Sequence, residues 1–309
     1  MSKLIIIGGG YTGLLCGALN PGSLIYEAGP ERESDHKAVF RFKSDTIGNM
    51  LGIPFKEVTV NKAIWFEGEE VQPTPRFAHM YSQKATGEVT GRSILNIQQV
   101  KRFIPPEDFL DRLKKRCKVV YDHIVSEEII QHNTSPVIST IPLMHLAHLT
   151  STSSINPVRP ADYSTIYVNR ILLKRCDSHC TVYYPHPEMN TYRASITGDT
   201  LITEGIGALG EKELNMICES LGIDFHRGMM NQVHNFEQPF GKITHIGENK
   251  RTKFITEMTV KYGIYSLGRF ATWRPKVMLD DVLKDIFVIK KLIKTGAYGA
   301  MKHKQGENN

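Results

Sequence analysis

The chain has 309 residues, of which 41% are hydrophobic, 23% charged and 9% aromatic, a globular mixture that excludes disordered, collagen-like and coiled-coil classes. Its net charge of +6 suits a phosphate-bearing ligand without requiring nucleic acid. No apolar run approaches the ~20 residues of a membrane helix, and the five cysteines are scattered, so a cytoplasmic protein with reduced thiols and no membrane partner is expected.

The first element is a strand, Lys3-Leu4-Ile5-Ile6-Ile7, continuously apolar as in a buried parallel sheet. Gly8-Gly9-Gly10-Tyr11-Thr12-Gly13 follows at once and fits G-x-G-x-x-G at Gly8, Gly10 and Gly13. Leu14 to Asn20 reads as a helix stopped by Pro21-Gly22, and Ser23 to Tyr26 as a second strand ending at Glu27. Glu27 stands 19 residues after Gly8, close to the ~20 expected of an acid that binds a ribose hydroxyl. The glycines permit the tight turn and close backbone approach, the helix N-terminus receives the pyrophosphate, and the carboxylate meets the ribose. The spacing predicts a dinucleotide site and by itself serves NAD or FAD.

Further along, Val39 to Ser44 is strand-like and carries Arg41 and Lys43. Leu95 to Val100 and Lys118 to Tyr121 read as short strands around a helix at Phe109 to Arg116. Alternation at Val58-Thr59-Val60 and Thr181 to Tyr184, with a helix at Glu211 to Leu221, suits a mixed sheet with helices. Cys176-Asp177-Ser178-His179-Cys180 lacks a second ligand pair and reads as a turn between strands. His145 and His148 lack the glutamate of H-E-x-x-H, so no metal is expected. Tyr262 to Leu267 is a strand running into Gly268-Arg269-Phe270-Ala271-Thr272-Trp273, and Leu279 to Leu292 has helical spacing. Lys114-Lys115-Arg116 and Lys290-Lys291 read as solvated helix faces, with a nucleic-acid track as the alternative. The tail from His303 to Asn309 is polar and expected to fray.

The N-terminal segment with Tyr26-Glu27-Ala28, the stretch Val137 to Leu143, and the closing Gly268 to Trp273 with Leu279-Asp280-Asp281-Val282 together resemble the flavin amine oxidase and UDP-galactopyranose mutase superfamily. The Gly-Gly-Arg that follows the ribose acid in amine oxidases is replaced here by Pro30 to His36. The resemblance implies an α/β fold: a Rossmann-like FAD-binding domain at 1–54, 95–155 and 250–309, with an inserted mixed-sheet α+β substrate domain at 55–94 and 156–249. It implies that FAD is held by Gly8, Gly10, Tyr11, Thr12, Gly13, Glu27, Arg41, Ile124, Thr140, Gly268, Arg269 and Asp280. Tyr192, Arg193 and Trp273 become candidates for the substrate pocket. The activity implied is oxidation of a C–N bond in an amine or amino-acid-type substrate. Flavoproteins of this general type occur among phage enzymes that build modified thymidines, so an amino-acid adduct on a DNA base is one form of that substrate, with DNA as partner. The alternatives are a flavin-dependent nucleotide-sugar mutase, with Arg193 and Arg269 clamping a diphosphate, and a non-catalytic FAD-binding protein.

Overall fold

The computed structural model describes residues 4–31, 38–89, 93–132, 135–224 and 230–296. The strand residue Lys3, the stretch from Arg32 to His36 and the tail from His303 to Asn309 lie outside the described residues. From the N-terminus, β1 (Ile5–Ile7), α1 (Tyr11–Ala18) and β2 (Leu24–Tyr26) form a βαβ unit. Then come α2 (Thr46–Leu51), β3 (Lys56–Phe66), β4 (Glu69–Val71), α3 (Pro75–Thr86) and β5 (Val100–Ile104). The next run is α4 (Phe109–Lys114), β6 (Lys118–Val120), α5 (Glu127–His132), β7 (Val137–Ser139) and α6 (Leu143–Leu149). A long antiparallel stretch follows, with β8 (Tyr163–Leu173), β9 (Ser178–Tyr183), β10 (Thr191–Gly198), β11 (Thr200–Gly205), α7 (Glu211–Ser220) and β12 (Met230–Ile243). The chain closes on α8 (Glu248–Tyr262), β13 (Ile264–Ser266) and α9 (Leu279–Thr295).

The strands form two sheets. The first is five-stranded and wholly parallel, in the order β13-β7-β1-β2-β6. Its strands are short and apolar because both faces are covered: Ile6, Ile25, Ile138 and Ile264 are fully buried. Helices α1, α4 and α9 supply Leu14, Leu15, Leu113, Val282 and Ile286 to the core on one face. Helices α6 and α8 supply Leu143, Leu146, Phe254 and Met258 to the other. Since β2 and β6 lie on one side of β1, and β7 and β13 on the other, the winding reverses between β1 and β7. Open α/β sheets bind ligands in the crevice at the carboxyl ends of such a pair. The second sheet has eight strands, in the order β12-β8-β11-β10-β9-β3-β4, with β5 pairing β3 off this path. It is antiparallel except for β3 against β9. This is the α/β fold with a parallel and a mixed sheet that the sequence resemblance implied.

Two expected strands differ. Val39 to Ser44 forms no strand, only a bridge between Phe42 and Phe103. Its alternating Phe40 and Phe42 instead join a ring cluster with Phe55 and Phe109, at centroid separations of 4.9 to 6.0 Å. Leu95 ends a short 3-10 turn, and the strand begins only at Val100, pairing antiparallel with β3 through Lys56–Ile104 and Val60–Val100. The Cys176 segment is a turn, as expected, with His179 and Cys180 already on β9.

Candidate functional site

The glycine loop lies at the carboxyl end of β1, where the crevice opens. The Gly8 N–H donates to the Tyr26 carbonyl at 2.8 Å, continuing the β1–β2 pairing into the loop. Gly13 must be glycine, because a Cβ there would sit 1.9 Å from the Gly8 carbonyl oxygen. Thr140, the residue after β7, fastens the other side: its N–H donates to the Ile7 carbonyl at 2.8 Å, and its hydroxyl to the Ile7 and Gly8 carbonyls at 3.0 and 3.1 Å. The loop therefore feeds into α1 as a fixed turn with no side chain capping the helix, which leaves its first N–H groups and positive dipole end to the crevice.

Glu27 reaches back into this loop. Its carboxylate accepts from the Gly9 N–H at 2.6 Å and the Gly29 N–H at 3.0 Å. A carboxylate has about four acceptor positions, so two backbone bonds orient Glu27 and leave capacity for ribose hydroxyls. No atom comes within 4 Å of where a Gly10 Cβ would stand, so the loop has open space at Gly10. An uncapped helix end, open space above Gly10 and an oriented acid fit the pyrophosphate and ribose of a dinucleotide such as FAD. Ile124 belongs to the same end. The His123 N–H donates to the Glu27 carbonyl at 2.9 Å, and the Ile124 side chain just beyond is 77% exposed.

The C-terminal segment meets the loop directly. Gly268 has φ +93°, and a Cβ there would come 2.7 Å from the Thr12 side chain, so both conformation and space demand glycine. The turn that follows is held by the Thr272 hydroxyl on the Gly268 carbonyl at 2.6 Å and by Arg251 on the Thr272 carbonyl at 2.9 Å. Arg269 then points toward the second sheet and donates to the Gly241 carbonyl at 3.3 Å. The neighbouring Lys242 places its ammonium 4.2 Å from the centre of the Tyr192 ring. Tyr192 is fully buried, and among the described residues its hydroxyl has no hydrogen-bond partner. Burial first, then the Glu204 charge, raises that hydroxyl well above the ordinary tyrosine pKa, so it remains a proton donor. Contacts and chain neighbours thus link Thr12 to Tyr192 by way of Gly268, Arg269, Gly241 and Lys242.

Other expected residues are placed differently. Arg193 forms an ion pair with Glu204, which is 4% exposed, so its charge is taken up within the sheet. The Arg41 guanidinium donates to the Thr197 and Thr181 hydroxyls and to the Ile196 and Cys180 carbonyls, at 2.6 to 3.3 Å. Its donors are committed to β9 and β10 rather than offered to a phosphate. Asp280 accepts from the Lys43 and Ser44 N–H groups at 3.1 and 3.2 Å, tying α9 to the segment after Phe42. Trp273 is 1% exposed in the core beneath α8, with φ +48°, and is a core aromatic rather than a pocket wall.

Lys242 and Glu204 were missed by sequence reasoning. Glu204 had a usable signal: Gly198-Asp199 is a two-residue hairpin turn between threonine-rich runs, and counting back from it sets Arg193 opposite Glu204, the observed register. Lys242 had none, because it reaches Tyr192 across sheet geometry. Among the described residues, no group of three or more His, Cys, Asp or Glu side chains is placed to hold a metal.

No protein-family model and no curated protein sequence matches the chain. Solved structures do. Reduced UDP-galactopyranose mutase superposes with a TM-score of 0.70 at 14% identity, over 96% of this chain and 94% of that one. The fold is shared with UDP-galactopyranose mutase. A CLA-producing fatty acid isomerase from P. acnes gives 0.61 at 10% identity over 94% and 98% of the two chains. A tryptophan halogenase from Shewanella frigidimarina NCIMB 400 gives 0.56 at 9% identity over 99% and 75%. The resemblance carried by the glycine loop and the C-terminal segment therefore holds at the level of the fold, which by itself does not fix the reaction.

Proposed function

We propose that the chain is an FAD-dependent enzyme that oxidises the C–N bond of an amine carrying an anionic group, as an amino acid or its adduct does. When bound, FAD supplies a two-electron acceptor that takes hydride from the carbon beside the nitrogen, leaving an imine that water hydrolyses to a carbonyl and a free amine. Gly8 to Gly13 would receive the pyrophosphate, Glu27 the ribose, and Gly268 the close approach beside Thr12.

The observation that carries the reading is the Tyr192–Lys242–Arg269 group at the far end of the path from the loop. The two cations beside this neutral phenol would draw a carboxylate or phosphate toward that end of the path and so orient the substrate. Among the described residues no carboxylate or histidine stands on that path, which suits hydride transfer from an uncharged amine, where orientation matters more than a protein base. The basic charge of the chain supports the sub-case in which the amine is an amino-acid adduct on a DNA base.

A second reading, a nucleotide-sugar mutase, is supported by Lys242 and Arg269 as partners for a diphosphate. Arg193, its other expected clamp, is already paired with Glu204. Anaerobic mixing of FAD-loaded protein with amines and amino acids, with amino-acid-modified DNA, and with UDP-sugars separates the readings. Bleaching of the oxidised flavin by an amine supports the oxidase, and dependence on DNA that weakens steeply with salt supports the DNA-linked form. Reaction only after prior reduction, and only with a UDP-sugar, replaces it with the mutase; FAD retention with neither response leaves a binding protein.

A further inference from the structure

Helix α9 is apolar on two sides. Val282, Leu283, Ile286 and Ile289 face inward and are buried against the parallel sheet. On the outer side Lys284, Phe287, Val288, Lys291 and Lys294 are all exposed. Their spacing of i, i+3, i+4, i+7 and i+10 puts them on one stripe. Phe287 is 49% and Val288 58% exposed, where a surface helix ordinarily turns polar residues outward. The acids of the helix do not offset the lysines. Asp280 accepts from the Lys43 and Ser44 backbones, Asp281 accepts from the Met278 N–H and pairs with Lys43, and Asp285 pairs with Arg274. Among the described residues no carboxylate pairs with Lys284, Lys291 or Lys294. Lys115 and Arg116, just after α4, add exposed cations on the same side of the sheet, because α4 and α9 share one core through α1.

We propose that this face is a peripheral docking surface for an anionic phospholipid bilayer. The occupant follows from what the stripe would have to satisfy. Nucleic acid would take the lysines but leave the Phe287–Val288 pair against phosphate and water. A second copy of the chain packed face to face would set lysines against lysines. A bilayer interface satisfies both: the two apolar side chains enter the boundary between headgroups and acyl chains, while the lysines reach anionic headgroups along their flexible stems. Among the described residues no helix is long and apolar enough to cross a membrane. The expectation of no membrane partner rested on that length criterion, which a helix lying flat on the surface does not have to meet.

Flotation of the FAD-loaded full chain with phosphatidylcholine vesicles, and with vesicles containing phosphatidylglycerol, tests this. Binding is expected only with the anionic vesicles. It should fall about tenfold in Phe287→Ser/Val288→Ser, through lost apolar burial, and about fivefold for each of Lys284→Gln and Lys291→Gln. An environment-sensitive dye on Val288→Cys should shift to the blue on anionic vesicles, a reading independent of the serine variant's folding. Absence of binding to anionic vesicles overturns the proposal. So does binding that ignores Phe287 and Val288, which would be unspecific charge attraction, or DNA binding that weakens in Lys284→Gln and Lys291→Gln, which would give these lysines to nucleic acid. A dimer abolished by Phe287→Ser would likewise overturn it, by making the face a self-interface.

Discussion

Near the crevice of the parallel sheet, polar contacts are made by the backbone or to it: the Gly8 N–H on Tyr26, Thr140 on Ile7 and Gly8, Glu27 on the Gly9 and Gly29 N–H groups. In the eight-stranded sheet they are made by long side chains reaching across the fold. Arg193 meets Glu204, Arg41 spans β9 and β10, and Lys84 of α3 donates to the Tyr184, His186 and Thr191 carbonyls at 2.6 to 2.9 Å. A site built on backbone tolerates change in the side chains around it but not at its glycines. A site built on buried charges fails when one partner is removed and can survive when both are. The two regions should therefore respond differently to substitution.

The largest effect is expected in the second sheet. Arg193→Met leaves the Glu204 carboxyl, 4% exposed, without its partner, which should cost about 3–5 kcal/mol. The double variant Arg193→Met/Glu204→Met should recover most of that loss, because both desolvated charges are gone. Urea unfolding of the two variants checks the pair. A single variant as stable as the parent, or a double variant no better than the single, would mean that the ion pair does not organise this sheet.

Next comes Gly13→Ala, whose Cβ would stand 1.9 Å from the Gly8 carbonyl. Backbone has to move, at about 3 kcal/mol, and the turn that would receive the pyrophosphate moves with it. The protein should purify without FAD and melt at a lower temperature. Full retention of FAD would show that the loop is not the cofactor cradle.

This contrast also explains what could be read in advance. Gly8, Gly13 and Gly268 were legible as turn glycines because a positive φ or a close approach within the turn acts over a few residues and restricts the residue type. The parallel strands were legible because burial on both faces leaves an uninterrupted apolar run. Arg41 was misplaced because its partners Thr181 and Thr197 are set by sheet order, which no local pattern records. Asp280 lay in the expected segment, but its carboxylate goes to Lys43 and Ser44, a contact over more than 230 positions of sequence. Tyr192 was legible as a candidate, whereas Lys242 above its ring was not.

Glu27→Ala sharpens the comparison on the backbone side. The carboxylate accepts from the Gly9 and Gly29 N–H groups and under the proposed function would also take ribose hydroxyls, so its removal should cost about 1.5–3 kcal/mol of cofactor affinity, roughly a tenfold to hundredfold weakening. The fold should persist, since the parallel strands pair independently of this side chain. Equilibrium titration of FAD into the apo-variant measures it, and unchanged affinity would reduce Glu27 to a structural cap on the loop.

The smallest effect concerns Lys84, through pH. Burial lowers its ammonium from the usual lysine range to about 7, opposed by the Glu213 charge. In the unfolded chain the group keeps a pKa of about 10.4, so between these values the unfolded state binds more protons than the folded one. Stability should therefore rise with pH from about 7 toward 10, and the penalty of a buried ammonium should be fully present below 7. From pH 7 to 8 this one group should contribute about 1 kcal/mol. Other groups titrate in the same window, so the measurement is the difference in slope between the parent and Lys84→Met, each followed by urea unfolding across that range. The variant loses three hydrogen bonds to carbonyls and should be less stable throughout, but its stability should climb less steeply with pH. Parallel slopes would mean that the three carbonyls hold the ammonium charged well above neutrality, which would make Lys84 a permanent staple between α3 and the end of β9.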